Sequence, residues 1–192
     1  MKSIITRSYD HYTDAKSAVR ALKEAGFKDE DISLVAHKDS GDDVMDGVAT
    51  GAGVGAVAGG GAGLLAGLGL LAIPGVGPVV AAGWLAATAA GAAAGAVAGA
   101  ATGGLIDALT GTGVRREDAE LYAENVRRGG SVVSVRAEES RVLTAQAILD
   151  QYRPVDIAGR RKAYEASGWN GHTDEAAPYT RAEIEAERTR YL

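Results

Sequence analysis

The chain contains no cysteine and few aromatic residues, with one phenylalanine and two tryptophans among its 192 residues. Without cysteine the protein forms no disulfide, performs no thiol catalysis and builds no cysteine zinc site, as is typical of a reducing compartment. Its first residues lack the apolar core of a signal peptide, so we expect no secretory export. The net charge of −5 argues against electrostatic binding to nucleic acid.

Charge is also absent from one long stretch, because no Asp, Glu, Lys or Arg occurs between Asp46 and Asp107. Glycine recurs there at every fourth residue on both sides of a turn at Pro74–Pro78. This small-xxx-small pattern is typical of closely packed helices. Each arm is long enough, at about 1.5 Å per residue, to cross a hydrocarbon core of about 30 Å. The stretch therefore predicts a long antiparallel Gly/Ala-rich helical hairpin.

Two groups of residues carry this prediction. The predicted helix-packing and oligomer interface consists of Gly47, Gly51, Gly55, Gly59, Gly63, Gly67, Gly83, Ala87, Gly91, Gly95, Gly99 and Gly103. The predicted apolar hairpin tip consists of Leu70, Leu71, Ile73, Pro74, Val76, Pro78, Val79 and Trp84. Small residues on several faces of each arm indicate several neighbours, and hence a homo-oligomer. The uncharged tip is expected to contact membrane lipid or, alternatively, to be buried between copies of the protein.

The segments that flank the hairpin repeat one another. Before it, alternation and helical spacing predict a strand at 3–8, a helix from Thr13 to Gly26 and a strand at 31–37. After it, they predict a helix at 117–128, a strand at 131–136, a helix at 141–152 and a strand at 155–158. Two such units pair into a four-stranded antiparallel sheet with helices on one face, an α+β fold of the ferredoxin-like type.

The predicted organisation has four parts: the first half of the plait at 1–40, the hairpin insertion at 46–110, the second half of the plait at 114–160 and a polar tail at 161–192. In the tail, the residues from Thr180 to Glu183 have the form of a capping box, which predicts a short helix. We expect the tail to dock on a neighbouring molecule through its aromatic residues, which are Tyr164, Trp169, Tyr179 and Tyr191.

The order of these parts resembles the bacterial general stress protein 17M-like family, the heat-induced stress proteins. The similarity covers most of residues 3–158 and is most specific at the turn from Ala72 to Pro78 and at Arg128-Gly129-Gly130 before the strand that follows. The chain departs from it at Arg115-Arg116, where we expect Pro-Glu. The resemblance implies a role in the stress response, and it implies no catalytic residue.

Few residues point to chemistry. A candidate site for a divalent cation is the acidic run at Asp39, Asp42, Asp43 and Asp46 beside His37. Its spacing does not match an EF-hand loop, and acidic residues are expected before a helix N-terminus. The segment Gly53–Ala58 fits a loose dinucleotide fingerprint, which a glycine-rich composition produces by itself.

Two further groups are weak candidates. The histidines are scattered, at His11, His37 and His172, and they form no catalytic pattern. The four arginines near the hairpin base, Arg115, Arg116, Arg127 and Arg128, are suited to lipid headgroups. They are better suited to a solvated helix face on which they pair with Glu117, Glu120 and Glu124.

Together these features predict a non-enzymatic, self-assembling stress-response protein without cofactor, metal or small-molecule substrate. We expect it to form homo-oligomers through the glycine hairpins, at the cytoplasmic face of the inner membrane or in the cytoplasm. Three alternatives stay open at this point. One is a homo-oligomeric scaffold that does not contact lipid, and another is a small-ligand sensing module. The third is a pore formed by the hairpins, although Thr50, Thr88 and Thr102 are the only polar side chains available to line it.

Overall fold

The computed structural model describes residues 2–40, 69–73, 75–88, 104–173 and 175–190. The strands in these ranges are β1 (Lys2–Tyr9), β2 (Ile32–His37), β3 (Gly69–Ile73), β4 (Gly77–Gly83) and β5 (Ser131–Glu138). The helices are α1 (Tyr12–Glu24), α2 (Gly104–Thr110), α3 (Arg116–Arg127), α4 (Val142–Asp150), α5 (Ile157–Ala166) and α6 (Arg181–Arg188). Residues 84–88 are helical as well.

The five strands form one antiparallel sheet in the order β1-β5-β2-β4-β3, which confirms the predicted α+β class. Strand β5 lies between β1 and β2, so that Val135 is opposite Ile5 on one side and Ile32 on the other. Strand β4 extends the sheet beyond β2, with Ala81 opposite Val35. The sheet therefore combines strands that precede and follow the uncharged stretch with two strands from within the stretch.

Helices cover both faces of this sheet. On one face, Leu34 and Val133 pack with Leu22 of α1 and Leu149 of α4. On the other, Val35 and Val132 pack with side chains of α2 and α3, among them Leu109 and Val126. The prediction of helices on one face is therefore wrong. The reason is visible in the central strands, where neighbouring residues are apolar and successive residues point to opposite faces, so that each face needs cover.

The strand predicted at 155–158 is a second difference. Val155 donates one backbone hydrogen bond of 2.8 Å to the carbonyl of Ser8, beside β1. The chain then turns into α5, because the carboxylate of Asp156 accepts hydrogen bonds of 3.1 Å from the amides of Ala158 and Gly159. Asp is among the preferred residues at this N-cap position. A helix N-terminus thus replaces the predicted edge strand.

The third difference lies in the uncharged stretch. Strands β3 and β4 pair as a β-hairpin, with Leu71 opposite Val79, so the prediction of a continuous helical hairpin is wrong for residues 69–83. The first series of glycines at every fourth residue ends at Gly67, and the second begins at Gly83. Between them lie two short apolar runs on either side of a Pro/Gly turn, a pattern typical of paired strands. Within the described part of the stretch, residues 84–88 and α2 are helical.

Candidate interaction surface

The outer edge of β3 is the most apolar exposed feature of the described sheet. Strand β3 ends the sheet order, and among the described residues it pairs with β4 alone. Its sequence is Gly-Leu-Leu-Ala-Ile, without a charged residue. The side chain of Leu70 is 57% exposed, although it belongs to a class that is usually buried. An uncharged edge strand offers unpaired N–H and C=O groups to another strand.

The other residues of the predicted tip lie mostly inside the protein. Ile73, Val76 and Val79 are buried in the core beneath α2 and α3. Trp84 is partly covered by Arg136, whose guanidinium carbon lies 4.1 Å from the ring centroid. Leu71 and Pro78 are half-buried in the two paired strands, and Pro74 lies outside the described residues. The hairpin tip is therefore part of the sheet, and Leu70 is its large exposed side chain.

The predicted helix-packing positions fall mainly outside the described residues, at Gly47, Gly51, Gly55, Gly59, Gly63, Gly67, Gly91, Gly95, Gly99 and Gly103. Two of the positions can be placed. Ala87 lies in the helical residues 84–88, and Gly83 ends β4. Gly83 approaches the backbone of β2, where a Cβ would collide with the carbonyl oxygen of Ile32. Its contact is thus between strands, which differs from the predicted contact between helices.

The C-terminal tail folds back on its own chain, whereas the sequence indicated a neighbouring molecule. The hydroxyl of Tyr164 in α5 donates a 3.2 Å hydrogen bond to Asn125 of α3, and Trp169 contacts the same tyrosine ring edge-on. Arg160 donates two hydrogen bonds of 2.7 Å to the carboxylate of Asp10. Tyr191 lies outside the described residues. These contacts fix α5 against α3 and the end of β1.

Beyond α5, residues 168–190, which we call the strap, cross the turn of the β3–β4 hairpin. A Cβ at Gly75 would collide with the backbone oxygen of Thr173, and a Cβ at Gly77 would collide with the side chain of Pro178. Both glycines also have positive φ, so the turn requires glycine for its conformation and for this close approach. The strap therefore lies directly on the hairpin turn, with residue 174 outside the described residues.

The strap ends in α6, whose capping box is present as predicted. The side chain of Thr180 accepts from the amide of Glu183, and the Glu183 carboxylate accepts a 2.8 Å hydrogen bond from the amide of Thr180. Ile184 is fully buried against Gly129, where a Cβ would collide with it. Arg188 donates hydrogen bonds to the carbonyl oxygens of Ser40 and Gly129.

A buried cluster of charges fastens α6 to α3. Arg128, which is 7% exposed, donates a 2.5 Å hydrogen bond to Glu124 and a 2.7 Å hydrogen bond to Glu187. Its guanidinium carbon also lies 4.0 Å from the ring centroid of Tyr164, a cation–π contact. Arg127 donates two hydrogen bonds to Glu124, of 2.7 and 2.6 Å. We call these four side chains, Glu124, Arg127, Arg128 and Glu187, the arginine cluster.

The arginine cluster keeps the carboxylate of Glu124 ionised. Burial opposes ionisation of Glu124, but the hydrogen bonds and positive charges of Arg127 and Arg128 outweigh it and hold the pKa of this carboxyl below its ordinary value. Burial likewise opposes the charge of Arg128, yet its bonds to Glu187 and Glu124 raise the pKa of the guanidinium. The sequence indicated a solvated helix face for all four arginines. This prediction is wrong for the buried Arg128. It is confirmed for Arg115 and Arg116, which pair with Asp118 and Glu120 on the surface.

His37, at the end of β2, is the buried histidine of this region. It is 0% exposed, and its Nδ1 accepts a 3.1 Å hydrogen bond from the amide of Asp39, which assigns the proton to Nε2. Burial lowers the pKa of His37 from its ordinary value of 6.5, against the opposing charge of Asp39. The neutral imidazole is therefore the form that the folded chain favours.

This lowered pKa gives a testable pH dependence. The unfolded chain takes up a proton on His37 at a higher pH than the folded chain, so the free energy of unfolding is highest above about pH 6.5 and falls as the pH drops below it. We expect His37→Asn, measured by urea denaturation from about pH 7.5 to about pH 5, to flatten this decline. An equal slope in both proteins would contradict the assignment.

The candidate chemical sites receive no support from the described residues. No group of three or more metal-ligating side chains is found among them, and Asp42, Asp43, Asp46 and the segment Gly53–Ala58 lie outside the described residues. None of the described helices combines the length and apolar character needed to cross a bilayer. Among known proteins, no family model, no curated protein and no solved structure matches the chain.

Proposed function

We propose that this protein is a non-enzymatic, self-assembling protein whose copies associate through the outer edge of β3 and the uncharged stretch that contains it. The observation that carries the proposal is the exposed, uncharged edge strand with Leu70 on its surface. Natural proteins usually protect such an edge with charge, proline or a covering element, because it otherwise pairs with another chain. In the described part of the chain β3 has none of these within the strand.

The sequence of β3 is compatible with pairing to a second copy of itself. In an antiparallel pair centred on Leu71, Leu70 would lie opposite the small Ala72 of the other copy. Gly69 would lie opposite Ile73 in the same way. Large residues thus meet small ones at these positions, Leu71 meets its own copy, and no like charges face each other. The symmetric contact is the isologous type that closes as a dimer.

Burial of the tip favours protein contacts over insertion of the tip into lipid. Ile73, Val76 and Val79 already lie in the core. Of the two assembly hypotheses, the scaffold without lipid therefore has the stronger support. The ten undescribed small-residue positions stay in the proposal as helix-packing residues, and association with the cytoplasmic face of a membrane stays in it as the second hypothesis.

A small-ligand sensing function has weaker support. The groove between α3 and α5 has a volume of about 650 Å³ and is lined by charged side chains of both signs. Two of them, Arg115 and Arg161, already bind Asp118, at 2.9 and 3.1 Å. Ligand sites in proteins are mostly apolar and enclosed, with a few convergent polar groups. This groove is open rather than enclosed.

Two finer assignments belong to the same proposal. We infer that the sheet is a ferredoxin-like plait in which β4 and β3 extend one edge and α5 replaces the outer strand at the other. The strand order β1-β5-β2 supports this, since it is the order expected for three strands of that plait. A role in the stress response rests on the family resemblance of the sequence.

A charge in the exposed edge tests the proposal. We expect Leu70→Lys to weaken self-association about tenfold or more, because a lysine on an edge strand disfavours pairing with another strand. The measurement is sedimentation velocity of the full chain over a concentration series. Leu143→Lys is the matched control, since Leu143 is 79% exposed on α4 and lies away from the edge.

Two results would count against the proposal. One is a wild-type chain that stays monomeric at every concentration, and the other is equal association of Leu70→Lys and wild type. Flotation of the wild-type chain with phosphatidylcholine–phosphatidylglycerol vesicles tests whether the chain binds lipid. A chain that rises with the vesicles would favour the membrane hypothesis over the scaffold.

A further inference from the structure

The strap contacts the hairpin of the uncharged stretch and a residue that precedes the stretch. Thr173 and Pro178 lie against the glycines on either side of Val76, at the turn of the β3–β4 hairpin. Arg188 binds the carbonyl of Ser40, which is the last described residue before the chain enters the stretch. One C-terminal segment therefore contacts both the hairpin at the centre of the stretch and the described chain that precedes the stretch.

The strap is held mainly by polar contacts. Among its described side chains only Ile184 and Glu187 are buried. Glu187 is bound by Arg128 at 2.7 Å and by Arg190 at 2.9 Å, and the ring of Tyr179 lies 4.6 Å from the guanidinium carbon of Arg127. A segment with so little buried apolar surface opens at a lower free energy than the sheet beneath it.

We propose that the strap is a latch that holds the β3–β4 hairpin against the sheet and limits self-association, so that its release increases assembly. This inference rests on the proposed function, of which it names the regulation. When the strap is docked, it covers the turn at Gly75 and Gly77. When it leaves, this uncharged turn is uncovered beside the β3 edge and becomes part of the surface that is open to a second copy. A larger apolar surface at a strand edge favours association.

The arginine cluster determines when the latch opens. Removing the carboxylate of Glu187 leaves Arg128 with one acid, Glu124, in place of two. A charged hydrogen bond in a buried site is one of the stronger polar contacts in a protein, and its loss weakens the docking of the segment that makes it. The rest of the sheet does not depend on this contact, because β1 and β5 pair with each other along their whole length.

The test combines hydrogen exchange with association in the full chain. We expect Glu187→Gln to raise the exchange rate of the strap and of the turn at residues 75–79 about tenfold, while β1 and β5 keep their protection. Sedimentation velocity of the same variant should show a larger associated fraction than wild type. Glu185→Gln is the matched control, since Glu185 lies on the same helix with a side chain that is 68% exposed. Ile184→Ala provides a second release variant through the apolar contact.

The two measurements separate the latch from the assembly it regulates. Unchanged exchange at residues 75–79 in both release variants overturns the latch, as does faster exchange without a gain in association. Loss of association in Leu70→Lys together with no gain in the release variants would leave the proposed function standing and the latch refuted. A wild type that associates weakly, together with release variants that associate more strongly, would support both.

Discussion

Arg128→Met is expected to lower the free energy of unfolding by about 3–5 kcal/mol, the cost typical of removing one partner from a buried ion pair. The substitution leaves the carboxylates of Glu124 and Glu187 buried, at 2% and 5% exposure, without the guanidinium that joins them. The loss of the cation–π contact with Tyr164 adds to the effect. Arg127 still binds Glu124 and Arg190 still binds Glu187, so we expect the lower end of the range.

Urea denaturation measures this effect, and two other variants define its origin. Arg115→Met removes an exposed arginine that precedes α3 and pairs with Asp118 in its first turn, and we expect it to change the free energy of unfolding by less than about 1 kcal/mol. The triple variant Glu124→Gln, Arg128→Met, Glu187→Gln removes the buried charges together. It should recover part of the loss, because uncompensated charge, more than the missing bonds, makes the single variant unstable. A triple variant less stable than Arg128→Met would contradict this account.

Local sequence patterns correctly predicted those helices and strands whose buried face follows from the spacing of apolar residues close together in the sequence. The helix from Thr13 to Gly26 corresponds to α1, with Ala15, Val19 and Leu22 on the buried side, as their spacing indicated. The strand at 131–136 lies within β5, and the capping box at Thr180 starts α6. In each case propensity, capping and burial favour the same structure, so the pattern is sufficient.

The arginine cluster could not be predicted in this way, since its partners are far apart in sequence. Glu187 and Arg128 are separated by 59 positions, and nothing in the spacing of either connects them. A single apolar residue, Ile184, in an otherwise polar helix was the available signal for a docked tail. The helix periodicity of 117–128 placed Arg128 on the charged side, whereas the docking of α6 buries it.

The structure of residues 69–83 was predicted wrongly because the helices that the glycine period indicates were extended across residues that lack it. After Gly67 the glycines are at positions 69, 75, 77 and 83, without a four-residue spacing. Val79 and Val80 are β-branched, which favours a strand, and the Pro/Gly turn is as compatible with two strands as with two helices. Pairing with β2, which lies more than forty positions earlier in the chain, then decides the structure.

Gly83→Ala is expected to detach this hairpin from the sheet, at a cost of about 3 kcal/mol or more. Gly83 has a φ of +84°, in the left-handed region that L side chains avoid, and its Cβ would also collide with the backbone of Ile32. A backbone atom cannot move aside as the end of a side chain can. The hydrogen bond of 2.8 Å from the Ser33 hydroxyl to the carbonyl of Ala82, next to Gly83, should be lost with the contact.

Gly26→Ala separates backbone strain from collision. Gly26 has a φ of +82°, almost that of Gly83, but a Cβ there would meet nothing within 4 Å. It should therefore cost only the strain of the left-handed conformation, about 1–2 kcal/mol. Urea denaturation compares the two variants, and equal losses would show that the approach of β4 to β2 contributes nothing.

Gly83→Ala also distinguishes release of the strap from loss of the pairing between β4 and β2. Release of the strap leaves β4 paired with β2, so the β3 edge stays in place and association should rise. Gly83→Ala breaks the pairing that carries β3, so the edge is lost and association should fall, while hydrogen exchange in β1 and β5 changes little. Opposite effects on association would mean that an ordered edge strand mediates assembly. Increased association in both variants would mean that exposed apolar surface alone is sufficient, and the β3 edge would lose its role.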